Sequence, residues 1–125
     1  MLEYVNAVVI NVPKMAGDKL IERACQHYNL MQMEREQMRG LYNGECGRAD
    51  TNADALFLNR ISVNYLRHQL TSYEEHLDKI SGKVGVGQAY TDIKTKVLNA
   101  IATAYPFLTF ECNRQIAKLH EEIVP

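Results

Sequence analysis

Several things are scarce in this chain, and each scarcity removes a class of protein. No apolar run approaches the roughly 20 residues that a bilayer-crossing helix requires, so no membrane association is expected. The three cysteines, Cys25, Cys46 and Cys112, are odd in number and widely spaced, which does not describe a disulfide framework. With no charged segment followed by an apolar stretch at the amino terminus, the expectation is a reduced, cytoplasmic protein. Basic blocks are missing too: 14 Lys and Arg are dispersed against 15 Asp and Glu, for a formal charge of −1. That balance argues against a broad nucleic-acid footprint, yet a few convergent arginines around a small anion need no net charge. Tryptophan is absent, and seven tyrosines provide the flat faces, suited either to packing or to base stacking.

Chemistry-bearing motifs are equally sparse. Cys25-x-His27 is the only close Cys/His pair and no second pair completes a zinc set, so no metal is expected. No serine has an evident His and acid partner, and His68 and His76, about two helical turns apart, fall on neighbouring faces. The run GKVGVG at 82–87 lacks the Lys-Ser/Thr ending of a phosphate loop, and Tyr90 stands where a dinucleotide fingerprint requires its third glycine. Nothing here argues for a catalytic residue, a bound cofactor or an enzyme.

What is present is a single domain over residues 1–125, with 46% hydrophobic residues to build a core. Its organising stretch is Thr51 to Gly82, read as one long helix or two nearly coaxial ones with a restart near Gln69 to Ser72. Phe57, Leu58, Ile61 and Tyr65 mark a core side, while Arg60, Asn64, Arg67 and Thr71 follow i, i+4, i+7 and i+11 on another. A solvated face usually mixes Lys with Glu; this stripe has two arginines and no acid. It suits an anionic ligand, or else carboxylates elsewhere in the fold or across an oligomer interface.

Residues 2–12, LEYVNAVVINV, are rich in β-branched residues and stop at Pro13, as a strand does. Both faces are apolar and no later segment has a matching pattern. The strand therefore needs a partner from a second copy of the chain or from the irregular 40–50 region. A helix capped by Asp18 carries Leu20, Ile21, Ala24, Cys25 and Tyr28 inward, and Asn29 interrupts it. Helical turns over 31–39 end at Gly40, and 40–50 is a loop. Two further helices carry buried stripes, one from Ala89 to Ala104 and one, after Pro106, through Leu108, Cys112, Ile116, Leu119 and Ile123. The expected fold is α+β, predominantly α-helical: an N-terminal strand paired across an oligomer, then four to five helices.

The segments FLNRISVNYLRHQLTSYEEHLDKISGKVG, AYTDIKTKVLNAIATAYP and ECNRQ resemble small phage and prophage proteins. Among these the chain most resembles the phage anti-Thoeris family that sequesters a signalling nucleotide. The resemblance spans about half the chain and implies a dimer or higher homo-oligomer, acting in the cytoplasm of an infected bacterium. Such a protein binds a cyclic ADP-ribose derivative made by the host's immune TIR enzyme and does not cleave it. Side-chain chemistry then nominates Arg60, Arg67 and Arg114 for a pyrophosphate, Asn64 for base or ribose edges and Tyr90 for the adenine plane. The alternatives are a protein-binding inhibitor of a host effector, of the anti-CRISPR type, and a small phage structural or regulatory protein.

Overall fold

A computed structural model of the chain describes residues 2–29, 53–81 and 86–123, and all regular structure among them is helical. Six α-helices follow in order: α1 (Leu2–Ala7), α2 (Gly17–His27), α3 (Ala53–Tyr65), α4 (Tyr73–Ile80), α5 (Val86–Ala104) and α6 (Thr109–Ile123). A π-helical segment, Leu66–Leu70, continues α3, and a 3₁₀ turn, Pro106–Leu108, joins α5 to α6. Helix α5 is the centre. It pairs with α6 as a hairpin and packs on α4, α1 and the π segment, while α2 lies on α3 and α3 reaches α6.

The N-terminal strand is not there, and the α+β reading is corrected to all-helical over the described residues. Tertiary contact overrides β-propensity here. In α1 and just after it, Val5 and Val8 fall three apart and are both buried, whereas Val9 is 75% exposed, so one helical face is covered and not two strand faces. The helix is only six residues long and leans on the rest of the fold for its C-terminus. Lys96 of α5 donates to the carbonyls of Val5, Asn6 and Val8, at 2.7, 3.2 and 2.6 Å, matching its three donors to the carbonyls a helix end leaves unpaired. Residues 8–16 then cross the surface without regular structure, tied down where Tyr105 donates to the Pro13 carbonyl and accepts from the Met15 N–H.

A second tie gives α1 a pH dependence. The Tyr4 hydroxyl lies 2.6 Å from Nδ1 of His76 on α4, and burial, aided by Lys79 and Lys96 against an opposing Glu75, pulls the His76 pKa below its ordinary value. The folded protein then binds fewer protons than the unfolded chain, so stability is full above the ordinary pKa near 6.5 and is lost as pH falls through the depressed one. Lowering the pH from about 7.5 to about 5.5 is expected to cost the wild type more melting temperature than it costs His76→Gln, which retains an acceptor for Tyr4. Equal losses in the two proteins would show that His76 carries no proton linkage.

The remaining expectations fare differently. Leu20, Ile21, Ala24 and Cys25 are buried on α2, but Ala16 and not Asp18 holds the N-cap position, and Tyr28 is exposed. Asn29 ends the helix in the left-handed region at φ 57°, a conformation its side chain tolerates. The expected helix over 31–39 and loop over 40–50 lie outside the described residues, as does most of the glycine run at 82–87. The restart in the central helix is real: Thr71 is extended, at φ −122° and ψ 171°, and α4 begins two residues later. On α5 and α6 the buried set includes Ala89, Ile93, Val97, Ile101, Cys112 and Leu119, and Leu108 is buried in the 3₁₀ turn between them. Among the described residues no helix is long and apolar enough to cross a membrane.

Candidate functional site

The polar stripe of α3 is the natural place to look for a site, and its geometry depends on how that helix stops. Over Leu66–Leu70 the turns widen to the π form, a rare geometry that is frequent at functional sites. The Thr71 hydroxyl donates to the Arg67 carbonyl at 2.6 Å and accepts from the Tyr73 N–H at 3.3 Å, so one side chain closes one helix and opens the next. This seats Arg67 where α3, α5 and α6 meet. It is 7% exposed, with its guanidinium carbon 5.5 Å from the centre of the buried Tyr73 ring.

A cavity of about 180 Å³ opens above it, lined by Arg60, Asn64 and Arg67 from the α3 stripe, Lys94 from α5, and Arg114, Gln115, Lys118 and Leu119 from α6. Five of the chain's 14 Lys and Arg thus surround one small volume in a protein of net charge −1. No carboxylate lines it among the described residues. Four of the five nominated residues, Arg60, Asn64, Arg67 and Arg114, stand together there. Tyr90 does not line the cavity; it sits beside it, 38% exposed, with the Lys94 ammonium 5.9 Å from its ring centre. Burial pushes the pKa of the neighbouring Tyr73 well above its ordinary value, and Tyr90 adds to the rise.

The four converging side chains are held in unlike ways. Arg67 donates to Gln115 Oε1 at 2.9 Å, to Asn64 Oδ1 at 3.4 Å and to His68 Nε2 at 3.1 Å, while its buried Nε has no partner. All three acceptors are neutral. Because a guanidinium only donates, His68 must carry its proton on Nδ1, which faces the Glu74 carboxylate. Arg114 is the opposite case: its Nε and a terminal nitrogen donate to the two carboxylate oxygens of Glu111 at 2.9 and 2.7 Å. Glu111 is fully buried, in the first turn of α6, where the helix dipole also favours a negative charge. Gln115 links the two arginines, since its Nε2 donates to Glu111 at 2.7 Å while its Oε1 accepts from Arg67. Arg60 is exposed at the rim, its guanidinium carbon 5.6 Å from the Phe57 ring centre.

The carboxylate partner that would make the arginines ordinary ion pairs exists for Arg114; among the described residues neither Arg60 nor Arg67 has one. Gln115, Lys94 and Glu111 went unnoticed in the sequence. Lys94 had a faint signal, one turn from Tyr90, and Lys118 repeats Arg114 at i+4; Glu111 pairs with Arg114 three residues along the same helix, a spacing the sequence shows, whereas Gln115 earns its place only through its contact with Arg67 across helices.

Two other groups bear on chemistry. Burial raises the Cys25 thiol pKa, and burial together with Glu111 pushes that of Cys112 up to about 12 despite Arg67 nearby, so neither thiol is a ready nucleophile. Among the described residues no three His, Cys, Asp or Glu converge as a metal site would need. Over its described residues the molecule is thus all-helical, with a cationic cavity between three helices. It matches no protein-family model, and no curated protein or solved structure shows significant similarity to it.

Proposed function

We propose that this protein binds a phosphorylated small molecule in the α3–α5–α6 cavity and holds it without turning it over. The supporting observation is the convergence of Arg60, Asn64, Arg67 and Arg114 on a volume that no described carboxylate lines. Guanidinium groups suit phosphate oxygens through charge-assisted bonds, and a sequestering protein needs matched contacts and no reactive group. The resemblance of residues 56–114 to the anti-Thoeris family directs the choice of ligand: a cyclic ADP-ribose derivative, withdrawn from host defence signalling in the bacterial cytoplasm.

Size adds a requirement. Pockets for drug-sized ligands run to about 300–1,000 Å³, so 180 Å³ encloses part of a cyclic dinucleotide-sized molecule and leaves the rest outside. A second copy of the chain would cover that remainder, which makes a homodimer or higher oligomer part of the proposal.

The test begins with the protein as purified. Denaturation followed by mass spectrometry reads any carried nucleotide, and calorimetry with cyclic ADP-ribose reads affinity. The expected result is saturable binding, recovery of the intact nucleotide after heat denaturation, and a species larger than 14.3 kDa in sedimentation. Release of a cleaved product would replace sequestration with catalysis. No binding by a folded protein would leave the protein-binding inhibitor as the better reading.

A further inference from the structure

Adjacent residues on a helix point roughly 100° apart and do not ordinarily face each other. Arg67 and His68 do meet: within the π segment Leu66–Leu70 a terminal nitrogen of Arg67 lies 3.1 Å from His68 Nε2. The imidazole is engaged on its other side as well, where Nδ1 faces the Glu74 carboxylate in the first turn of α4. Glu74, His68 and Arg67 thus form a short row, and of the three only Arg67 lines the cavity.

The row holds only while the ring is neutral. Arg67 can donate to Nε2 only if that nitrogen carries no proton. A proton there sets two donors against each other and places a second positive charge beside a guanidinium that has no carboxylate among the described residues. An anion in the cavity reverses the balance. It supplies the counter-charge that Arg67 lacks and accepts the donor that His68 gives up, while Glu74 remains to balance the imidazolium. Gln115 and Asn64 keep hold of the guanidinium, and the His68 side chain, 37% exposed, is free to turn aside. The other titratable and charged groups on the elements packed here are Tyr73, whose ring centre is 5.7 Å from that of His68, and Tyr90 and Lys94 on α5. Of all these residue types only histidine ordinarily changes charge between about pH 5 and 8.

We infer that His68 is a positioning residue for Arg67, and that anion binding in the cavity is coupled to uptake of one solvent proton at His68 Nε2. This rests on the cavity being an anion site, and it adds a regulation to that reading. The ligand binds more tightly as the pH falls, and by reciprocity its binding favours the protonated ring by the same factor.

Calorimetry on the whole protein at about pH 7.5 and about pH 5.5 tests the coupling with two probes, cyclic ADP-ribose and inorganic sulfate, an anion whose charge is constant over that interval. The wild type is expected to bind each about five-fold more tightly at the lower pH. Titrations in two buffers of unlike ionisation enthalpy should show proton uptake. His68→Gln, whose amide accepts from Arg67 but takes no proton, should lose this pH dependence; any titration of the nucleotide itself appears in both proteins and cancels. Glu74→Gln makes the same test at an exposed position, and should reduce the pH dependence because nothing then balances the imidazolium. Equal pH dependence in the wild type and His68→Gln, or wild-type binding that weakens at the lower pH, would overturn the coupling and leave the proposed function standing. Proton-coupled sulfate binding without cyclic ADP-ribose binding would support the coupling and remove the proposed ligand. Binding of neither probe by the folded protein would overturn both.

Discussion

Arg114→Ala is expected to destabilise the protein by about 3–5 kcal/mol, the typical result of leaving a buried charge without its partner. Glu111 is fully buried, and two of its three hydrogen bonds come from Arg114, the third being from the neutral Gln115 amide. The asymmetry of the pair fixes which partner matters. The Arg114 side chain is 41% exposed and would return to water if Glu111 were removed, whereas Glu111 has no such escape if Arg114 is removed. Glu111→Gln should therefore cost less than Arg114→Ala, and adding Glu111→Gln to Arg114→Ala should recover part of the loss, because an amide needs no counter-charge. Denaturant unfolding of the two single variants and the double variant checks this. Additive losses would mean that the two side chains do not act as a pair.

The second large effect is on binding. Arg67→Ala is expected to weaken cyclic ADP-ribose binding by ten-fold or more, since a hydrogen bond to a charged group is worth about 1.5–3 kcal/mol and every 1.4 kcal/mol is ten-fold. Removing Arg67 also frees the Gln115 carbonyl and the Asn64 oxygen from their donor, so binding loses the orientation of its neighbours as well as a charge. Arg67→Lys keeps the charge, but one ammonium cannot reach the three acceptors that a guanidinium bridges, and rescue should be partial. Glu74 is a poor control despite its exposure, because it faces His68, which in turn accepts from Arg67. Asp78, exposed on α4, is the better one. Calorimetry together with melting temperature separates the outcomes. An Arg67→Ala protein that binds normally but melts early would mark Arg67 as a structural cation and remove it from the site.

Burying a guanidinium among neutral acceptors costs free energy that a carboxylate would offset, and the fold accepts that cost at the junction of three helices. Glu111 could serve as a partner but is engaged by Arg114 and reaches Arg67 only through the Gln115 amide. The result is a cationic cavity whose floor, the Arg67 guanidinium, is held in one orientation by Gln115, Asn64 and His68, so the proposed ligand would meet that part of the site with little reordering.

The sequence alone determined the helical stripes. On α2, α5 and α6 the apolar residues repeat at three and four, and burial follows the repeat because a helix packed on one side leaves no other arrangement for them. It also determined that Arg60, Asn64 and Arg67 share a face, since that follows from 3.6 residues per turn alone, and that the central helix breaks near Thr71. Tertiary structure decided the rest. Of the N-terminal stretch read as a strand, residues 2–7 became a helix and 8–12 took no regular structure, because Lys96 and His76, some 90 and 72 positions away from their acceptors or donors, supply the contacts that hold it, and local propensity contains no term for partners so distant in sequence. Tyr90 fell beside the cavity and Lys94 into it for the same reason: they share one face a turn apart on α5, and only the packing of α5 on α6 decides which level of that face the cavity meets. Which arginine would find a carboxylate was only half a tertiary matter, since the Glu111–Arg114 spacing is local to one helix while the surroundings of Arg67 come from the packing of several. Glu111 lies one turn from Arg114 on α6 and is oriented toward it, and Arg67 was left with amides and an imidazole.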